Sequence, residues 1–236
     1  IVTWEIPPEE LGEAIDRLIE DWLENLDTPP VDALNLARNR FGLSLRTSLR
    51  TTKKPCQLRL ESREILLRPD LEEETRQAAV AHALGELGRE ELAKRMSINL
   101  DEHKEFRGRS IPAMIARRLL VPTGWLREKG RLHRWNLQEL KTHFSTATPE
   151  AIARRFLDLE DPCVITIVDN DQVSHRRSNA WPTSRELQPI EREVLDQIQR
   201  YSRPFDQSGS GWRVQGWPVH RVDWRQEILR SSREDG

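Results

Sequence analysis

After Pro7 and Pro8, apolar residues recur at Leu11, Ala14, Ile15, Leu18, Ile19, Trp22 and Leu23. This spacing predicts an amphipathic helix with a wide apolar stripe and an acidic outer side. A second helix is predicted from about Pro30 to Arg40, with Gly42 beyond its end, where the left-handed backbone of a helix stop favours glycine. QLRL (57–60) and REILLR (63–68) read as two short strands joined by a tight turn. Pro69 closes the second strand. A long helix follows over roughly 71–88, carrying AVAHALGELG at positions 79–88. From Gly88 to Gly108 the chain is densely charged and is expected to be irregular or partly helical.

The next helix opens near Ser110, with Pro112 tolerated in its first turn, and ends near Pro122. Thr123 to Lys129 predict a brief helical extension. Asn136 is a good cap for a helix through about Phe144, while Glu139 completes only the weaker form of a capping box. Thr148-Pro149 starts another helix, ending near Leu159. CVITIV (163–168) is a strong strand signal, Asp169 to Asp171 turn the chain, and QVSHRR returns as its partner. From Pro189 to about Tyr201 the pattern is helical, with Ile190, Val194, Leu195 and Ile198 facing inward. WRVQGWPVH has strand character around Trp212, Val214 and Trp217, broken by Gly216 and Pro218. The Ser/Gly segment 207–211 reads as a loop. This order predicts an α+β fold: a mostly helical core with a small β-sheet over residues 1–170, and a C-terminal extension, 171–236, packed on or beside it.

The 236 residues suffice to bury a core, and 32% charged content predicts a heavily charged outer face. No apolar run approaches the roughly 20 residues of a bilayer span. The opening IVTWEIPPEE lacks the basic and apolar regions of a signal peptide. With only two cysteines, Cys56 and Cys163, expected as buried free thiols, a cytoplasmic location is the expectation. Net charge is −2, but the first 35 residues carry Arg17 as their one base among many carboxylates. Nothing resembles a nucleic-acid-binding tail.

Candidate chemistry centres on AVAHALGELG. In H-E-x-x-H, side chains four apart share one helix face, so two imidazoles grip one zinc ion while the glutamate activates its bound water. Here His82 keeps the first ligand position, Ala83 stands at the base position, and Glu86 replaces the second histidine. Alanine accepts no proton, and a positioned acid–base group commonly supplies roughly 10² to 10⁴ in rate. Glutamate does ligate zinc, so an alternative ion site would use His82 and Glu86 with Glu90 or His103.

The ordered features PPVDALNLARNRFGL, REILLRPDLEEETRQAAVAHALGELG, IPAMIARRLLVPTGWL and LQELKTHFSTATPEAIARRFLDL, between about Pro30 and Asn170, resemble the ImmA/IrrE family of metallopeptidase-like proteins. The resemblance implies a zincin-like helical core with a small sheet. It also implies a further acidic ligand on the following helix, shortly before an A-x-x-L-L-x-P ending that survives here as ARRLLVP (116–122). That ligand position falls on Ile111, which cannot coordinate an ion. The degenerate set His82, Ala83, Glu86 and Ile111 therefore implies a pseudoenzyme with no cofactor and no metal, zinc being the alternative. Active relatives often cut helix-turn-helix repressors, so a protein partner of that class is implied.

Other residues carry weaker signals. His103, His133, His143, His175 and His220 show no ligand-like spacing, and neither cysteine pairs with His82 by any sequence rule. There is no phosphate-binding loop, dinucleotide fingerprint or nucleophile elbow. The helical pair 137–159 has helix-turn-helix form, and Ala151, Arg154, Arg155 and Asp158 would mark its reading helix. Interspersed carboxylates argue against a phosphate-binding surface and favour a packing role. Among eight tryptophans, Trp125 and Trp135 are candidates to close over the cleft. Those of the C-terminal third serve as anchors or as a protein contact edged by Arg176, Arg177 and Arg185. The expected function is a noncatalytic regulatory or interaction protein. The alternatives are a metal-dependent protease with a noncanonical His/Glu site, and a DNA-binding transcriptional regulator using residues 137–159. A membrane is not an expected partner, and the oligomeric state is left open.

Overall fold

The computed structural model describes residues 7–48, 54–98, 110–220 and 224–234. The chain divides into two compact units, one running to Leu126 with the addition of His143–Thr148, the other comprising Arg127–Thr142 and everything from Pro149 onward. The boundary expected near residue 170 instead falls within a hairpin of one sheet.

The first unit contains α1 (Pro8–Trp22), α2 (Ala33–Asn39), α3 (Glu73–Met96) and α4 (Ile111–Leu120), with α2 and α3 against a three-stranded sheet of β1 (Ser44–Thr47), β2 (Cys56–Arg59) and β3 (Glu64–Leu67). The strand order is β1-β3-β2, with β1 parallel and β2 antiparallel to β3, so β2 is an edge. Asp32 caps α2 by accepting from Asn35 N–H at 3.0 Å. Buried Gln77 of α3 ties that helix start down, donating to Asp32 at 3.0 Å and accepting from Ala33 N–H at 2.7 Å. Gly42 adopts φ +61°, as a helix stop requires.

Helix α3 runs past Gly88, the expected end, because that glycine is a contact residue rather than a stop. A Cβ there would stand 2.6 Å from Cη2 of Trp22. The continuation buries Leu92 and Ala93 and pairs Arg95 with Asp21 at 2.5 Å. At Gly85 the approach is tighter still, with a Cβ meeting the Pro112 carbonyl oxygen at 2.3 Å. Ser110 caps α4 by accepting from Ala113 N–H at 3.2 Å. Within α4, Arg118 is buried and binds Asp16 of α1 at 2.7 Å, so the acidic side of α1 is partly an interior partner.

The second unit contains α6 (Leu137–His143, its last residue counted with the first unit), α7 (Pro149–Arg155) and a 3-10 turn, Phe156–Asp158. It also contains α8 (Pro189–Tyr201) and the five antiparallel strands β4 (Val164–Asp169), β5 (Gln172–Ser178), β6 (Phe205–Gly209), β7 (Trp212–Pro218) and β8 (Gln226–Arg233). Between the units' main parts in sequence lies α5 (Thr123–Leu132), longer than the brief extension expected. The sheet order is β5-β4-β8-β7-β6. Ile190, Val194 and Ile198 of α8 pack on Val214 and Leu229, and Gly216 leaves room for Ile198. The same helix face carries Glu191, 1% exposed, which caps its own helix through Gln188 N–H at 2.8 Å. Glu191 also receives the Ser231 hydroxyl at 2.6 Å and pairs with Arg176 at 2.9 Å. Saturation of this kind is what a buried carboxylate requires.

Among the described residues no helix is long and apolar enough to cross a membrane. A Gly85→Ala substitution is expected to destabilise the first unit by about 2 kcal/mol or more, since a backbone atom cannot swing aside. Gly124→Ala, in the first turn of α5 with nothing near its Cβ, should be neutral or stabilising by up to about 1 kcal/mol. Urea unfolding of both variants checks the contrast.

Candidate functional site

Over residues 79–88 helix α3 is buried almost all round, because alanine and glycine admit close neighbours on several sides. His82 and Glu86 are the exceptions. They face a groove of about 610 Å³ whose other wall is the edge strand β2, through Cys56, Gln57 and Leu58. Ala79 and Ala83 form the apolar part of the α3 wall. The helix and the strand belong to the same unit, so the groove is a feature of one folded body.

His82 Nε2 lies 3.8 Å from Glu86 Oε1, and both side chains are nearly half exposed, at 46% and 47%. Such a solvated pair contributes little to stability, about 0–1 kcal/mol. Zinc requires ligand atoms about 2 Å from the ion, with three protein side chains in a catalytic site. Ala83 is a buried methyl at the position of the base. Ile111, 3% exposed, is a core residue at the start of α4. Glu90 is exposed on α3, two helical turns or about 12 Å along the axis from His82, too far to join the same ion. His103, with neighbouring Glu102, lies outside the described residues. Among the described residues no group of three His, Cys, Asp or Glu side chains could hold a metal. The donor set among the described residues does not by itself make up a catalytic zinc site.

Cys56 shares the groove with His82, a proximity that no spacing rule supplies. Its thiol donates to the Ala79 carbonyl at 3.1 Å. Burial pushes its pKa up, Lys54 pulls it down and Glu86 raises it again, leaving it above the ordinary value. The protonated thiol is a poor nucleophile. The alternation of β2 carried a readable signal, for Cys56 and Leu58 are half-buried while Gln57 and Arg59 are exposed. What was missing was which helix they would meet.

The helical pair 137–159 forms, but its second helix is not a reading helix of the expected kind. Arg155 is fully buried and pairs with Asp158, so it has no path to a phosphate. Ile152, Ala153 and Phe156 are buried on the same short segment. Arg154 is committed to Glu150 at 2.8 Å and to His175 Nδ1 at 3.2 Å. Within the intervening STAT turn, the Thr146 hydroxyl donates to the Val31 carbonyl at 2.7 Å. Asn136 caps α6, accepting from Gln138 and Glu139 N–H at 3.0 and 3.3 Å.

Most of the described tryptophans are buried or half-buried. Neither Trp125 nor Trp135 lines the groove. Trp125 borders a separate cavity with Asp16 and Leu23, while Trp135 meets Phe156 edge-on at 5.5 Å and lies under the Arg230 guanidinium. Trp217 is buried, and Trp181 meets Trp212 edge-on at 5.4 Å beneath Arg233. Trp224 is exposed, yet its Nε1–H still donates to Asp169 at 3.1 Å. His133 and His143 are half-buried and His220 is exposed.

No family model matches the chain, and no curated protein matches it. A solved structure described as a Mycobacterium tuberculosis transcriptional regulator is similar, with a TM-score of 0.69 at 15% sequence identity. The likeness covers 97% of this chain and 81% of that one, and it bears on the α+β fold alone.

Both cysteines are free thiols, and Cys163 is buried. Burial pushes Cys163 from an ordinary 9.0 up to about 11, with Arg230 partly opposing. A pKa raised on folding stabilises fully below the unfolded value and is lost as pH climbs through the folded one. Stability should therefore fall between pH 9.0 and about 11, by on the order of 2 kcal/mol from this thiol. Cys163→Ala should flatten that part of the pH profile in denaturant titrations.

Proposed function

We propose that this chain is a noncatalytic regulatory protein that holds an extended segment of a protein partner between β2 and α3. Its scaffold, in this reading, derives from ImmA/IrrE-like metallopeptidases and retains their binding groove without their chemistry. The carrying observation is the pairing of a wide groove with an incomplete donor set. The groove of about 610 Å³ has Ala83 at the base position, His82 and Glu86 as the donors that α3 turns toward it, and Cys56 across from them, its thiol bonded to the Ala79 carbonyl. Ile111 is sealed in the core.

The chemistry of the groove favours a peptide over a small metabolite. Its β2 wall is a sheet edge, whose outward backbone groups pair with an added strand. Ala79, Ala83 and Leu58 offer apolar surface for alternate side chains of such a strand. Lys54 and Glu86 at the lining supply both signs of charge for register. A regulatory role agrees with the description of the similar solved structure as a transcriptional regulator. The partner proposed is itself a regulator, of the helix-turn-helix class implied by the resemblance.

A photoreactive residue placed at Gln57, exposed on the edge strand, tests this in the cell of origin. The expected result is a discrete protein adduct that disappears when Thr75→Trp fills the groove. Adducts indifferent to Thr75→Trp would refute the docking site. Zinc-dependent cleavage of a protein, lost in His82→Ala, would refute the noncatalytic reading.

A further inference from the structure

A further concavity lies in the other unit, at β5, an edge strand of its sheet. It measures about 190 Å³ and is lined by Val173, Ser174, His175, Arg176, Arg177 and Arg185. No carboxylate lines it. At roughly 30 Å³ per water it holds about six waters, below the 300 Å³ or so at which pockets for drug-sized ligands begin. It suits a small group of concentrated charge.

The donors around it are one-sided. Arg176 has a side chain only 4% exposed, with Nη1 committed to Glu191 at 2.9 Å and Thr166 at 2.6 Å. Its Nε–H, equally buried, has no acceptor among the described residues. A buried guanidinium N–H without a partner is destabilising, a penalty that a bound oxyanion would remove. Arg177 and Arg185 are exposed, and no carboxylate of a described residue is paired with either. Glu191 balances Arg176, so the excess positive charge belongs to Arg177 and Arg185. His175 also lines the pocket, with its Nδ1 3.2 Å from the Arg154 guanidinium.

We propose that this pocket binds a phosphoryl group, as free phosphate or as the head of a small phosphomonoester. A guanidinium fork matches the geometry of phosphate oxygens and binds them through paired, charge-assisted hydrogen bonds. The site shares no residue with the peptide groove, so either can fail without the other.

Calorimetric titration of the whole chain with inorganic phosphate and with O-phosphoserine, at constant ionic strength, tests the proposal. Serine serves as the uncharged control. Saturable binding of at least one phosphorylated probe is expected, weakened about tenfold or more in Arg177→Gln and in Arg185→Gln, with melting temperatures unchanged because both side chains are exposed. Binding of phosphate alone would assign the inorganic ion, and binding of both would admit monoesters. Absence of binding by either probe, or equal affinity in the Arg177→Gln/Arg185→Gln double variant, would overturn the site.

Discussion

Helix α3 runs so close to the start of α4 that a single methyl at Gly85 would overlap the Pro112 carbonyl oxygen, 2.3 Å away. Three residues on, Gly88 receives the Trp22 ring in the same manner. Interiors are packed to the density of organic crystals, so these two positions fix where α1 and α4 lie against α3. The alanines at 79, 81 and 83 extend the same condition around the helix. Having spent its inner faces on close packing, α3 leaves His82 and Glu86 as the polar pair of this stretch facing the groove.

From that packing comes the character of the groove. With α4 pressed against Gly85, its first residue is drawn into the core, where Ile111 is the side chain such a position accepts. An ionised carboxylate there would demand a metal or a base to compensate its burial. Ala83 and Ile111 thus both belong to the apolar interior, and the groove lies beside it. The second unit treats charge differently, retaining buried Arg155, Arg176, Glu191, Glu227 and Arg230 within or against its sheet. Most find partners, though Arg176 Nε, Glu227 Oε2 and Arg230 Nε have none among the described residues.

Periodicity made the helices legible. The stripe of α1, the Asn136 cap and the inward row of α8 all lie where their sequences place them. The error at α3 came from reading Gly88 as a stop when it is a contact. Strands β6 and β8 were hidden for a different reason. Interior strand β8, QEILRSSR, buries Glu227, Arg230 and Ser231, so it reads as polar tail, while Ser208 and Gly209 of β6 mimic a loop. Of the site, residue types alone show that Ala83 accepts no proton and that Ile111 coordinates no ion. The approach of Cys56 to His82 and the burial of Arg155 depend on tertiary packing, which local pattern does not encode.

Zinc content after chelator-free purification, measured by elemental mass spectrometry on the wild-type chain and on His82→Ala, bears most directly on the proposal that α3 carries no metal chemistry. The predicted result is far less than one zinc per chain in the wild type, with no change in His82→Ala. One zinc per chain, lost in His82→Ala, would contradict it.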